Sequence, residues 1–308
     1  MNNSKKRILT FKTLIKKIYF KIKRQFLNFL IQNFTSVYRP SSNPYISGDT
    51  FRKLADHLYD ETKKFNPKKV KENDLIFVKT DMIENFFINL DPFINSKYLL
   101  ITHNSDKEIG EQELKFYNEN IVFWLAQNLQ IPNTNKISVL PIGLENLRYQ
   151  MNGVLDDFKT KVPVDKKSKV LLSFNVENNF EERAKIYNLI KQNDFVIYKT
   201  LSNHRSYIET LKQFKFNLCP FGNGSDTHRI WESLMVGTIP VMRRSQFTMN
   251  LKSLNIPILI VDNWEQLNNY NEEELSKYYK NETSNKNFDE ILKLDYWKTL
   301  INMKKNSK

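Results

Sequence analysis

The sequence predicts an α/β protein of two Rossmann-like domains with mostly parallel sheets, preceded by a basic amphipathic N-terminal helix. Three observations predict it. Short apolar runs alternate with stretches of helical character from residue 51 to about 150, and the same alternation starts again at residue 170. Between the two series lies "MNGVLDDFKTKVPVDKKSK", residues 151–169, which is polar, lacks an apolar period and reads as a linker. The first 48 residues contain ten Lys and Arg but no Asp or Glu, so +10 of the net +13 sits there. These features divide the chain into 1–40, 41–160 and 161–308.

In the first segment Phe11, Ile15, Ile18, Ile22, Phe26 and Phe29 recur at steps of three or four, with lysines filling the other faces. Such a helix suits an anionic membrane surface. A basic arm for nucleic acid is the competing reading of the same charge. The longest uncharged run there, Gln25 to Tyr38, is fourteen residues and partly polar, short of the roughly 20 apolar residues that span a bilayer. Lysines interrupt what would be the apolar region of a signal peptide, and no small-residue cleavage site follows. Cys219 is the only cysteine, which excludes an internal disulfide and a cysteine-based zinc site. A cytoplasmic protein, peripheral at the inner face of the membrane, fits these features.

After the Pro/Ser/Gly linker "YRPSSNPYISGD", Phe51 to Phe65 reads as a helix. "LIFVK" and "YLLITH" are buried strands, "EQELKFYN" is helical, "IVFWLAQN" is a strand, and "ISVLPIG" is a strand ending in a turn. In the second series "VLLSFN", "FVIYKT" and "FKFNLCP" are strands separated by helices over Phe180 to Gln192 and Ser206 to Gln213. "TIPVM" and "IPILIVD" are further strands, and Glu272 to Lys305 is mostly helical.

The most informative stretch is "FNLCPFGNGSDTHRIWESLMVGTIPV", Phe216 to Val241, which holds three of the seven glycines. It reads as strand, glycine loop, helix, strand. Pro220, Gly222 and Gly224 break both regular structures, Ser225 or Asp226 caps the next helix, and Gly237 ends it. A loop in this position lies at the carboxyl edge of a parallel sheet, where ligands bind, beside a helix N-terminus that attracts anions. Arg229, in the first helical turn, opposes the helix dipole and points to a phosphate to hold. Glu232, one turn on, is placed to accept from ribose hydroxyls. The chain contains neither GxxxxGK[ST] nor GxGxxG, which argues against a P-loop ATPase and a dinucleotide site, and no D-x-D.

This stretch resembles the donor-site signature of exostosin-like glycosyltransferases, roughly F-x-L-x-P-x-G-x-G-x-D-x-x-R-x-W-E-x-L-x-x-G-x-x-P, and matches nearly every fixed position. "YLLITHNSD", "FWLAQN" and "VLPIGLEN" are more loosely similar to the N-terminal half of bacterial relatives. The resemblance implies a two-Rossmann GT-B fold, with an acceptor-side domain over 41–160 and a nucleotide-sugar-binding domain over 161–308 whose last helix packs back on the first. It implies that Gly222, Asn223, Gly224, Asp226, His228, Arg229 and Glu232 bind the donor, with Arg229 neutralising the departing diphosphate. Arg183 is a second candidate charge, or a solvated helix residue.

Transfer with inversion, which the resemblance implies, needs a base for the acceptor hydroxyl. His103 and Asp106 after one strand and Glu145 after another are the candidates, with Asp81 behind them. His57 and His204 read as surface residues. The expected activity moves a sugar from a nucleotide-sugar to a glycan or lipid-linked acceptor in surface polysaccharide synthesis, with no metal, no cofactor and no nucleic-acid partner. A fucosyltransferase-like enzyme on the same fold, or a non-enzymatic nucleic-acid-binding module, are the rival readings.

Overall fold

The computed structural model describes residues 39–149, 151–159, 165–190, 193–201, 203–284 and 289–306, together with Tyr19, Ile22 and Phe26. The amphipathic helix expected over 1–40 otherwise lies outside the described residues. None of the helices among the described residues is long and apolar enough to cross a membrane.

Two five-stranded sheets, each wholly parallel, organise the chain. The first runs in sequence order through β1 (His57–Tyr59), β2 (Asp74–Lys79), β3 (Tyr98–His103), β4 (Ile121–Ala126) and β5 (Ile137–Val139). All six residues of β3 are buried, as expected of a central parallel strand covered on both faces. Around this sheet lie α1 (Gly48–Arg52), α2 (Ile83–Asn89) and α3 (Glu111–Leu114).

The second sheet is formed by β6 (Lys167–Leu172), β7 (Val196–Tyr198), β8 (Phe214–Leu218), β9 (Ile239–Arg243) and β10 (Leu259–Val261), in the order β10-β9-β8-β6-β7. Its helices are α4 (Phe180–Ile190), α5 (His204–Leu211), α6 (His228–Met235), α7 (Gln246–Ser253) and α8 (Glu272–Ser284). In this order the chain leaves β6 in one direction and returns to its other side at β8. The crevice beyond the carboxyl ends of β6 and β8 is therefore the switch point, where doubly wound sheets bind ligands.

The helix expected from Phe51 to Phe65 does not form. Phe51, Leu54 and Leu58 have helical spacing, but α1 ends at Arg52 and His57–Tyr59 adds β1 to the sheet edge, His57 facing Ile76. Side-chain pairing holds this bend. Arg52 Nε donates to Asp60 Oδ2, and Thr62 donates to Asp60 Oδ1 through its amide (2.9 Å) and its hydroxyl (2.6 Å). Burial alone would raise the Asp60 pKa, but the bonds from Arg52 and Thr62 bring it down to about 2. Because the folded value lies below the unfolded one, this stability exists above about pH 4 and is lost as pH falls through about 2. It amounts to about 2 to 3 kcal/mol. Asp60→Asn is expected to destabilise the protein at pH 7, with the gap to wild type closing as urea unfolding is repeated toward pH 2.

The two domains are fastened together. Ile230 and Trp231 of α6, Met242 of β9 and Phe247 and Leu251 of α7 share one buried apolar cluster with the strands of the first sheet. Asn250 donates to the carbonyls of Leu129 and Ile131 and accepts from the Asn133 amide. A last helix, α9 (Leu294–Asn306), returns to the first domain. There Trp297 is fully buried edge-on to Phe51, with ring centroids 6.0 Å apart, and Lys304 Nζ sits 4.2 Å from the Phe123 ring centre.

Candidate functional site

A cleft of about 880 Å³ opens at the switch point of the second sheet and is walled on its far side by the first domain. Two guanidinium groups occupy it. Arg183, on α4, is 3% exposed and donates to the carbonyls of Phe221 (2.9 Å) and Asn175 (2.7 Å). Burial, and then the charge of Arg229, push its pKa down to about 10. Arg229, in the first turn of α6, donates to the carbonyl of Ser173 at the end of β6 and lies 4.9 Å from the centre of the Tyr207 ring. Among the described residues neither makes an ion pair with a carboxylate. Arg183 is buried and Arg229 half-buried, and with no carboxylate in hydrogen-bond contact the pair leaves positive charge for an anion to neutralise.

The backbone adds to it. Thr227 precedes α6 without a side-chain cap bond, the first turn holds no acidic residue, and the buried Thr227 hydroxyl has no partner. The amides of this helix start are therefore open toward the cleft. The preceding loop is held by the first domain: Asn128 Oδ1 accepts from the Asp226 amide at 2.8 Å. A Cβ on Gly224 would lie 2.9 Å from Asn128 Nδ2, so any larger residue would push the Asn128 side chain off the loop it holds.

Glu232, 5% exposed, faces the cleft one turn along α6. His204 Nε2 bonds its Oε1 at 2.9 Å, while His204 Nδ1 meets Asp157 Oδ2 at 3.2 Å. Burial disfavours charge on both groups, but each stabilises the other: the His204 pKa is raised and that of Glu232 is lowered. His204 is thus an enclosed part of the site and not the surface residue its sequence suggested. Tyr207, which packs on Arg229, is fixed by Asn217 at the end of β8. Neither His204 nor Tyr207 sits in a local pattern that marks it. Only the fold brings them to residues 229–232.

Gly222, Asn223, Gly224, Asp226, His228, Arg229, Glu232 and Arg183 all line the cleft. Three of them also bond the first domain, Asn223 through Asp106 and the other two more closely. Asp226 spends both carboxylate oxygens, on the Ile142 amide (2.6 Å) and on Trp231 Nε1 (2.7 Å). His228 Nδ1 bonds the Gly143 carbonyl at 2.8 Å. The three proposed bases separate sharply. His103 is fully buried, with Nε2 on the Pro141 carbonyl and Nδ1 accepting from the Asn104 amide, and burial pushes its pKa down to about 4. Glu145 holds Asn152 and does not line the cleft. Asp106 reaches the cleft from the first domain, where its Oδ2 accepts from Asn223. It also borders a second cavity of about 380 Å³ between Lys79, Asp81, Asn146 and Arg148. No group of three or more His, Cys, Asp or Glu able to hold a metal occurs among the described residues.

Residues 158–304 match the family model of the RXYLT1 C-terminal domain, a span that contains the whole glycine-loop motif and both arginines. The second domain is thus similar to the RXYLT1 C-terminal domain. No curated protein matches the chain in sequence. Two of the solved structures similar to it are the following. One is S. aureus TarM, a point mutant in complex with fondaparinux, alpha-GlcNAc-glycerol and UDP. It has 12% identity over 74% of this chain and 55% of its own, with a TM-score of 0.38. The other is the GtfA/B complex, with 11% identity over 78% of this chain and 59% of its own, and a TM-score of 0.39. The chain spans little more than half the length of either.

Proposed function

We propose that this protein is an inverting, metal-independent glycosyltransferase that moves a sugar from a nucleotide-sugar to a glycan or lipid-linked acceptor in surface polysaccharide synthesis. The carrying observation is the pair Arg183 and Arg229, neither in an ion pair among the described residues, beside the uncapped start of α6 at the switch point. Breaking a sugar–phosphate bond leaves charge on the diphosphate. Fixed cations and amides that stabilise that charge lower the barrier. Arg229 binds the leaving diphosphate, with Arg183 adding charge behind it, and the guanidiniums take the part that a metal ion plays elsewhere. Glu232, held by His204, accepts from the ribose hydroxyls. The acceptor enters from the first domain past Asp106.

The test is a thermal-shift panel of UDP, GDP, CDP and their common sugar conjugates, followed by transfer assays with the nucleotide that stabilises. A folded protein stabilised by none of them would sink the reading. A strong, salt-sensitive affinity for RNA or DNA in its place would favour the nucleic-acid module.

The basic N-terminal segment is proposed to bring the enzyme to the inner face of the membrane, where lipid-linked acceptors reside. Deleting residues 1–34 is expected to abolish co-sedimentation with anionic vesicles while leaving nucleotide binding intact. Unchanged co-sedimentation would refute it.

A further inference from the structure

Among the described residues, only Asp106, Ile142 and His228 line both the donor cleft and the second cavity on the first-domain side. A sugar passing from donor to acceptor must change hands at that junction, so the group that takes the acceptor's proton has to reach it. Ile142 has no basic atom in its side chain. Asp106 stands on an exposed loop and gives one oxygen to Asn223.

His228 is placed differently. A carbonyl oxygen can only accept, so the 2.8 Å contact with Gly143 requires the proton on Nδ1. In the neutral ring this leaves the Nε2 lone pair bare, and no described residue bonds it. The Gly143 carbonyl is itself fixed. Gly143 has φ +67°, and a Cβ there would lie 2.3 Å from the Ile46 carbonyl oxygen. The Leu144 amide donates to that same oxygen at 2.9 Å. A rigid backbone acceptor that sets one tautomer and one ring orientation is how a base is held ready for use.

We propose that His228 is the general base of the transfer. The inference rests on the transferase reading. As the acceptor oxygen attacks the anomeric carbon, its proton passes to His228 Nε2. The bond from that carbon to the diphosphate oxygen breaks, and its electron pair leaves with the diphosphate toward Arg229. The imidazolium then returns the proton to solvent. His228 thereby serves the acceptor from the donor domain, and its bond to Gly143 sets the ring's aim.

The experiment compares wild type, His228→Asn, His228→Ala and Asp106→Asn, reading kcat, donor KM and the thermal shift given by the nucleotide. Asn at 228 can still donate to Gly143, so the domain contact is kept. His228→Asn is expected to lower kcat by about 10²–10⁴-fold with donor KM and thermal shift unchanged, and added imidazole is expected to restore turnover to His228→Ala. Retained kcat in His228→Asn, a loss of donor affinity in place of kcat, or a full loss in Asp106→Asn alone would each overturn the assignment. A wild type that binds no nucleotide would overturn the transferase reading and this inference with it. An active wild type beside an active His228→Asn overturns this inference alone.

Discussion

Arg229→Ala is expected to abolish the stabilisation that the donor nucleotide confers and to lower kcat/KM by about 10²–10³-fold, equivalent to about 3 to 4 kcal/mol of transition-state stabilisation. The size follows from where the charge stands. Arg229 is the cation between the end of β6 and the start of α6, and Tyr207 and the Ser173 carbonyl hold it in one rotamer. Arg183 cannot take its place, because its guanidinium is tied to the carbonyls of Phe221 and Asn175. Arg229→Lys is expected to recover only part of the loss, since a point charge on a flexible stem lacks the planar fork that meets two phosphate oxygens. Circular dichroism and the unliganded melting temperature separate this from misfolding. An Arg229→Ala protein that keeps its nucleotide shift would remove the diphosphate from this position.

Much of this architecture was legible because the physics that sets it is local. The buried strands are continuous apolar runs, and the motif from Pro220 to Glu232 is contiguous, so its loop, helix and charges can be read in order. The edge strand His57–Tyr59 was not legible. Its residues carry a helical spacing, and what overrides that spacing is pairing with β2 and the Arg52–Asp60–Thr62 contacts.

The rest of the site was hidden for a related reason. Asn128, Gly143, Asp157 and His204 lie between 28 and 98 residues from the groups they hold. His204 shows the consequence. A lone histidine in "LSNHRS" carries no signal, yet folding places it between two carboxylates, one of which is the Glu232 proposed to hold the ribose. The motif residues themselves carry more roles than sequence assigns them. Asp226 and His228 belong to the glycine-loop motif by position but bond the first domain, so the loop that lines the cleft also registers its two halves.

That registration makes Asp226→Ala the other large expected effect. Its carboxylate is buried and accepts from the Ile142 amide of one domain and from Trp231 Nε1 of the other. Truncation orphans the buried Trp231 N–H, at about 1–3 kcal/mol, and the half-buried Ile142 amide, so a loss of a few kcal/mol in urea unfolding near pH 5 is expected. The size should depend on pH. Burial pushes the Asp226 pKa up to about 7, against the pull of its two donors. A folded value above the unfolded one means that this residue's contribution is fully present below about pH 4 and is lost as pH rises through about 7. That loss amounts to about 4 kcal/mol at most. The gap between wild type and Asp226→Ala should therefore narrow from pH 5 to pH 8. A gap that widens over the same range would mean that the two N–H donors win over burial and that the latch between the domains is a carboxylate held ionised.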